Sequence, residues 1–219
     1  MLAYYHAIRE AARQIGAATD STVRALREGR IEHEPAMTDR MLGAIEERLR
    51  DFQGHGIRWA AKTLTDRGRN SQESRYGADF LVVLNIELPD FSLSKGFLAQ
   101  SKLIRHGRVH GIQGLRRQCE QMLNLSPDSF VFLYSGKGVR VVPAISVVAT
   151  TENPIELYSR SSQTFFEQHL ECFVGDRAIS SPTPTVLEKL QRRYEARSAL
   201  WLEGRPVNLL EPLTGEIVE

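Results

Sequence analysis

The sequence predicts an α/β domain with a mixed central sheet and additional helices at both termini, and three observations lead there. Residues 78–88, "ADFLVVLNIEL", are the most hydrophobic run in the chain and are short and β-branched in places, as a strand buried on both faces would be. The segment "SFVFLYSGKGVRVVPA" reads as two strands joined at Ser135–Gly138, a hairpin signal. Between them, "IQGLRRQCEQMLNL" (112–125) sets Ile112, Leu115, Cys119, Met122 and Leu123 on one helical stripe. Strand, helix and hairpin in that order, with helical patterns before and after, give the α/β class.

The elements follow in chain order. Leu2, Tyr5, Ile8, Ala12 and Ile15 predict a helix over 2–15, and Val23 and Leu26 a second over 20–28. After "GRIEHEPAM", Thr38 or Asp39 is the expected cap of a third helix whose stripe is Met41, Leu42, Ile45, Leu49 and Phe52. Glu34 lies just ahead of that helix, with Asp39, Glu46 and Glu47 on it. "HGIRWAAKTL" (55–64) predicts a strand, and "TDRGRNSQESRYG", with two glycines and no hydrophobic period, a loop. Pro89 and "DFSLSK" are expected to close the buried strand before the next one, "GFLAQSKLI" (96–104). Two more helices are expected over 162–173 and 184–202, parted by "AISSPTPT". The expected division is a helical extension at 1–30, a core at 31–150, and a helical extension at 151–219 packed on that core.

A chain of 219 residues with 42% hydrophobic content can bury one substantial core. Lys and Arg number 28 against 27 for Asp and Glu, so the net charge of +1 neither requires nor excludes a polyanionic partner. Cys119 and Cys172 stand far apart and in no metal-ligand spacing, which fits reduced thiols. The first residues carry Arg9, Glu10 and Arg13 and form no signal peptide, and no segment approaches the roughly 20 apolar residues of a membrane span. A cytoplasmic protein without membrane contact is therefore expected. Phosphate-binding glycine loops of the P-loop and dinucleotide types are missing, as is a nucleophile elbow.

The chemistry concentrates in three residues. Asp79 heads the most buried strand, while Gln100 and Lys102 interrupt an otherwise apolar one and alternate onto one face. Adjacent strands would bring carboxylate, amide and ammonium to one sheet edge. Such a set suits phosphodiester hydrolysis: the carboxylate holds a divalent cation, Mg²⁺ or Mn²⁺, and the lysine orients the nucleophile or stabilises developing charge. Gln100 can add its carbonyl oxygen, and Ser101 its backbone carbonyl.

These residues resemble the PD-(D/E)xK nuclease superfamily, the restriction-endonuclease-like fold, in which an Asp on one core strand precedes a (D/E/Q)-x-K tripeptide on the next. "YGADFLVVLNIEL" followed by "FLAQSKLI" is similar to the Q-x-K variant of Mrr-like restriction enzymes and anti-phage effector nucleases. Ala78 stands where the pattern has its proline. The resemblance spans roughly residues 34–148 and includes the helix "LRRQCEQMLNL" and the strands after it. It implies that Asp79 and Gln100 bind metal and that Lys102 is the catalytic lysine. It also implies a Glu from the preceding helix, with Glu34 the first choice, Asp39 and Glu46 behind it, and Glu73 an extra possibility that a solvated charge explains better. A Mg²⁺-dependent endonuclease of prokaryotic antiviral defence is the implied activity, with DNA ahead of RNA as substrate and a homodimer or a defence partner as its assembly. The alternatives are a catalytically silent binding or assembly module of the same fold, or an RNA-cleaving relative.

Around this constellation, "KLIRHGRVHG" with Arg116 and Arg117 is the densest basic stretch, and Arg105, His106, Arg108, Arg116 and Arg117 are the candidate nucleic-acid contacts, against the equal alternative of a solvated turn. His106 and His110 have helical metal spacing, but Gly107 and Gly111 argue for a turn. Gln118 could support the site, Lys137 and Arg140 are expected to face solvent, and both cysteines are expected in the core.

Overall fold

The computed structural model describes residues 4–65, 76–181 and 183–207. Among them eight strands form one mixed sheet in the order β1-β2-β8-β3-β4-β5-β6-β7. Its elements are α1 (Tyr5–Arg27), α2 (Glu34–Leu49), β1 (Gln53–Gly54), β2 (Ile57–Thr65), β3 (Phe80–Leu88), β4 (Phe91–Leu103), α3 (Ile112–Leu123), β5 (Ser129–Ser135), β6 (Gly138–Pro143), α4 (Ala144–Ala149), β7 (Arg160–Ser161), α5 (Ser162–Leu170), α6 (Pro184–Arg193) and β8 (Ser198–Pro206). β3 runs parallel to β8 and β4 parallel to β5, and the other pairs are antiparallel.

Alternation along the strands divides the core in two. Phe80, Val82, Phe97, Ala99, Phe132 and Leu200 face α1, α2 and α5, while Leu81, Val83, Leu98, Val131, Leu133 and Trp201 face α3, α4 and α6. Both β3 and β8 are buried on the two faces, as helices on both sides of a sheet require. The α5 side is dominated by aromatic side chains, with Phe97 edge-on to Phe165 at 5.0 Å and Phe130 to Phe165 at 4.7 Å.

Several expectations are corrected. The two N-terminal helices are one, because Gly16 and Ala17 leave the Ala-rich buried face of α1 uninterrupted. Helix α2 begins at Glu34 with Pro35 in its first turn, where a missing N–H costs nothing. Thr38 is therefore inside the helix, its hydroxyl donating to Glu34 O at 3.1 Å, and neither Thr38 nor Asp39 is a cap. Strand β4 starts at Phe91, with Pro89 and Asp90 as a two-residue link, so "FSLSK" is strand. The helix expected over 184–202 stops at Arg193, and Ser198–Pro206 is a strand between β2 and β3, near the centre of the sheet. The C-terminal segment is thus woven into the sheet. Glu195, at φ 49°, reverses the chain between α6 and β8.

The hairpin at Ser135–Gly138 and the helix over 112–123 form where the sequence predicts them. Among the described residues no helix is long and apolar enough to cross a membrane.

Candidate functional site

Strand β4 outruns its neighbour. Its first nine residues pair with β3 from Leu88↔Phe91 to Phe80↔Ala99, which leaves Gln100–Leu103 projecting past the start of β3. On the other side β5 accompanies β4 as far as Leu103↔Tyr134. Backbone groups of β4 alternate between the two edges. Leu98 and Ile104 donate toward β5, to Asp128 O at 3.2 Å and Tyr134 O at 2.8 Å, so Ser101 and Leu103 present their N–H groups on the edge that β3 has vacated. A buried edge N–H must find an acceptor.

Two carboxylates supply it. Asp79 Oδ2 accepts from Ser101 N at 2.9 Å, and Glu34 Oε1 from Leu103 N at 2.8 Å. Glu34 Oε2 lies 3.5 Å from Lys102 Nζ, with the lysine side chain 17% and the glutamate 33% exposed. By the same alternation the Ser101 carbonyl lies on the edge where its N–H meets Asp79. The register continued one residue past Phe80–Ala99 sets Asp79 opposite Gln100. Gln100 is 2% exposed, and its Oε1 is buried with no hydrogen-bond partner among the described residues. An orphaned amide oxygen of this kind calls for an explanation.

Local structure fixes each part. Gly77, at φ 75°, passes so close to α3 that a Cβ there would stand 2.4 Å from Gln118 O. Only glycine fits that approach, and it aims the following residues into the sheet. Gln118 meets this turn with its backbone alone, and no side-chain hydrogen bond joins it to Asp79, Gln100 or Lys102 among the described residues. Ala78 is buried on the α3 side, and the backbone of Asp79 is held on both edges, its N–H to Ala99 O at 2.8 Å and its carbonyl by Ser198 N at 3.1 Å. Beneath Glu34, a buried hydroxyl group of three joins α2 to the overhang: Thr38 Oγ1 lies 2.8 Å from Ser101 Oγ and 3.0 Å from Tyr134 OH. Burial pushes the Tyr134 phenol far above its ordinary range.

Burial also raises the Asp79 carboxyl above the usual range, against the Ser101 N–H and the charges of Lys102 and Arg197, and the Glu34 charge adds to the rise. A cation between the two carboxylates would reverse this. The oxygens of Asp79, Glu34, Gln100 and the Ser101 carbonyl are hard donors of the type Mg²⁺ and Mn²⁺ take, and the unpartnered Gln100 Oε1 fits that use. Among the described residues no three His, Cys, Asp or Glu side chains form a metal-holding group, so the set consists of two carboxylates completed by neutral oxygens.

The other candidates separate. Asp39 binds Arg197 Nη1 at 2.9 Å and Ser198 Oγ at 2.8 Å, clamping α2 to β8. Glu46 accepts from Thr63 N at 3.0 Å on β2. Both serve packing, which leaves Glu34 as the glutamate beside Asp79 and Lys102; Glu73 lies outside the described residues. Arg105 and His106 stand beside Glu34 on a cleft of about 570 Å³, and Arg108 and Arg117 are exposed. Arg116 is turned partly inward: its Nε donates to Val147 O at 3.3 Å and its Nη2 is buried, so it braces α3 against α4. Lys137 and Arg140 are exposed, Arg140 holding Ser159 Oγ at 2.6 Å. Cys119 is fully buried, its thiol pushed up to about 12, while Cys172 is half-buried.

Arg197 and Ser198 are the site-shaping residues that sequence reasoning misses. They fall within the segment expected as helix, and their role arises from the placement of β8 beside Asp79. No protein-family model, curated protein or solved structure matches the chain.

Proposed function

We propose that the protein is a metal-dependent nuclease of restriction-endonuclease-like fold that hydrolyses phosphodiester bonds, with DNA ahead of RNA as substrate and prokaryotic antiviral defence as the setting. The observation that carries this reading is the convergence of the Asp79 and Glu34 carboxylates on the Ser101–Leu103 edge, beside the orphaned Gln100 oxygen and the Lys102 ammonium. The order of parts supports it as well: a helix bearing Glu34, a strand entered at Asp79, a strand ending in Gln100-Ser101-Lys102, then α3, β5 and β6.

In this reading Asp79, Glu34, Gln100 Oε1 and the Ser101 carbonyl would hold Mg²⁺ or Mn²⁺, which would supply Lewis-acid polarisation of the phosphate and a more acidic water. The protein contributes the rest. Asp79 is fixed through its backbone on both sides, so its carboxylate needs little reorganisation to bind. Lys102 Nζ, held beside Glu34, donates to a phosphate oxygen or to the attacking water and keeps that water oriented.

A second reading has its own observation. Both carboxylates already accept backbone N–H groups, and Glu34 also pairs with Lys102, so the same arrangement would serve a catalytically silent module in which they only close the strand edge.

The two are separated by incubating purified wild type and Lys102→Ala with plasmid DNA and with RNA, in Mg²⁺, Mn²⁺ or EDTA. Cation-dependent cutting that falls by about 10²–10³-fold in the variant supports the nuclease. Absence of cutting by the wild type on every substrate, together with a melting temperature that Mg²⁺ does not move, supports the silent module.

A further inference from the structure

A cleft lies beside Glu34, whose carboxylate forms part of its lining. One side is the start of α2, with His33 and Glu34, and the other is the loop after β4, with Arg105, His106 and His110. Its volume of about 570 Å³ lies within the roughly 300–1,000 Å³ of small-ligand sites and is far larger than an ion requires.

The loop wall is preformed. Arg105 and Arg108 exchange backbone hydrogen bonds of 3.0 Å in both directions across His106 and Gly107, whose φ values are 50° and 71°. Two positive φ values in sequence make a tight turn of the hairpin type. Below it Val109 is buried, and Asn153 binds its backbone twice, accepting from its N–H at 3.3 Å and donating to its carbonyl at 3.1 Å. Arg105 is exposed and spends Nη2 on Glu32 O at 3.2 Å, which steers the guanidinium and leaves donors for a ligand. The lining thus holds one guanidinium and three imidazoles against a single carboxylate, and that carboxylate is engaged with Leu103 N and Lys102. Among the described residues the histidines form no metal-holding group.

We infer that this cleft seats the phosphate next along the chain from the one at Asp79 and Lys102, with Arg105 as its principal contact and His106 and His110 beside it. This rests on the nuclease reading and deepens it: the ligand is a phosphodiester-linked polymer that spans two adjoining phosphate positions, and a lone phosphate monoester fills only one. His110 thereby joins the nucleic-acid surface, and Arg116, engaged with Val147 O, leaves it.

The test separates binding from cutting. Full-length protein in EDTA is titrated with short fluorescein-labelled single-stranded DNA, duplex DNA and RNA over a range of salt, with inorganic phosphate as competitor. The expected result is binding to at least one oligonucleotide that inorganic phosphate displaces only weakly. Arg105→Ala should weaken it about tenfold and make the log–log salt dependence shallower by about one, and Arg105→Lys should restore the slope. A double variant, His106→Asn with His110→Gln, keeps a residue tolerant of positive φ at the turn and should weaken binding by a smaller factor. Lys189→Ala, an exposed cation on α6, should bind as the wild type does. No binding by the wild type at low salt, or unchanged affinity and slope in Arg105→Ala, overturns the inference. Arg105-dependent binding without cleavage in Mg²⁺ sinks the nuclease reading and leaves the cleft as a nucleic-acid site.

Discussion

Lys102 and Lys95 stand on the same strand, seven positions apart, about 23 Å at strand spacing, and their surroundings could hardly differ more. Lys102 projects from the overhang beside Glu34, within reach of solvent. Lys95 is 1% exposed among α5, Phe97 and Gly175, and its Nζ donates to the carbonyl of Val174. His169, fully buried, also donates to that carbonyl, from Nδ1 at 2.9 Å, and meets the edge of Phe97 at 4.9 Å. Burial lowers the Lys95 ammonium below its ordinary range, partly opposed by Cys172 and Asp128. Burial followed by the Lys95 charge pushes the His169 imidazole down to about 3. A buried cation satisfied by a carbonyl fastens the 171–176 turn to the sheet. A cation paired with Glu34 at a strand overhang keeps its charge within reach of solvent. Strand position and neighbours, and not residue type, decide which role a lysine takes.

That contrast can be broken at either end. At the Lys102 end the largest effect is expected: Lys102→Ala loses cleavage by the 10²–10³-fold factor above, with a melting temperature close to that of the wild type. At the Lys95 end the order inverts. Lys95→Ala leaves a cavity and removes a donor from Val174, at a cost of about 2–4 kcal/mol in urea unfolding, while cleavage per folded molecule stays the same. Lys95→Met fills the space, and His169 still serves the carbonyl, so about 1 kcal/mol or less is expected. A Lys95→Met variant as unstable as Lys95→Ala would show that the charge itself matters.

Asp79→Asn sharpens the comparison from the carboxylate side. Because the folded-state pKa of Asp79 is raised, its ionisation opposes folding above that value, and this cost vanishes below the ordinary Asp value of about 3.9, where both states are protonated. The Asn variant should therefore melt higher than the wild type at neutral pH, the gap closing as pH falls, and it should lose cleavage and the Mg²⁺-dependent rise in Tm together. For His169 the sign is opposite. With a folded value of about 3 against the ordinary 6.5, the unfolded chain takes up a proton first, so stability declines as pH drops from about 6.5 toward 3. His169→Phe should flatten that slope in a pH series of urea midpoints. A similarly small effect belongs to the hydroxyl group of three: Tyr134→Phe should cost about 1 kcal/mol, since Thr38 and Ser101 still bond each other.

Much of the fold was legible because its signals are local. Helix α3 shows an apolar stripe, the β5–β6 hairpin a glycine-containing turn, and β3 a short hydrophobic run that is β-branched in places. β8 was illegible for a physical reason. A strand buried on both faces has no period of two, and "SALWLEG" has the Ala and Leu content of a helix, so the residues alone favour continuing α6. The site divides similarly. Asp79 announces itself as a carboxylate at the head of an apolar strand, and Gln100 and Lys102 as polar residues within one. Choosing Glu34 over Asp39 and Glu46 required knowing that Asp39 is engaged by Arg197 and Glu46 by Thr63.

By itself, then, the sequence determined most of the helices and strands and the three polar residues, Asp79 ahead of β3 and Gln100 and Lys102 on β4, since periodicity and polarity along a chain are local quantities. Tertiary structure alone decided that β8 inserts beside Asp79, that β4 overruns β3, and that the carboxylates of Asp79 and Glu34 answer the N–H groups this overhang exposes. Those outcomes depend on satisfying every buried backbone donor at once, and strand length and neighbour order become definite only when the whole sheet is assembled.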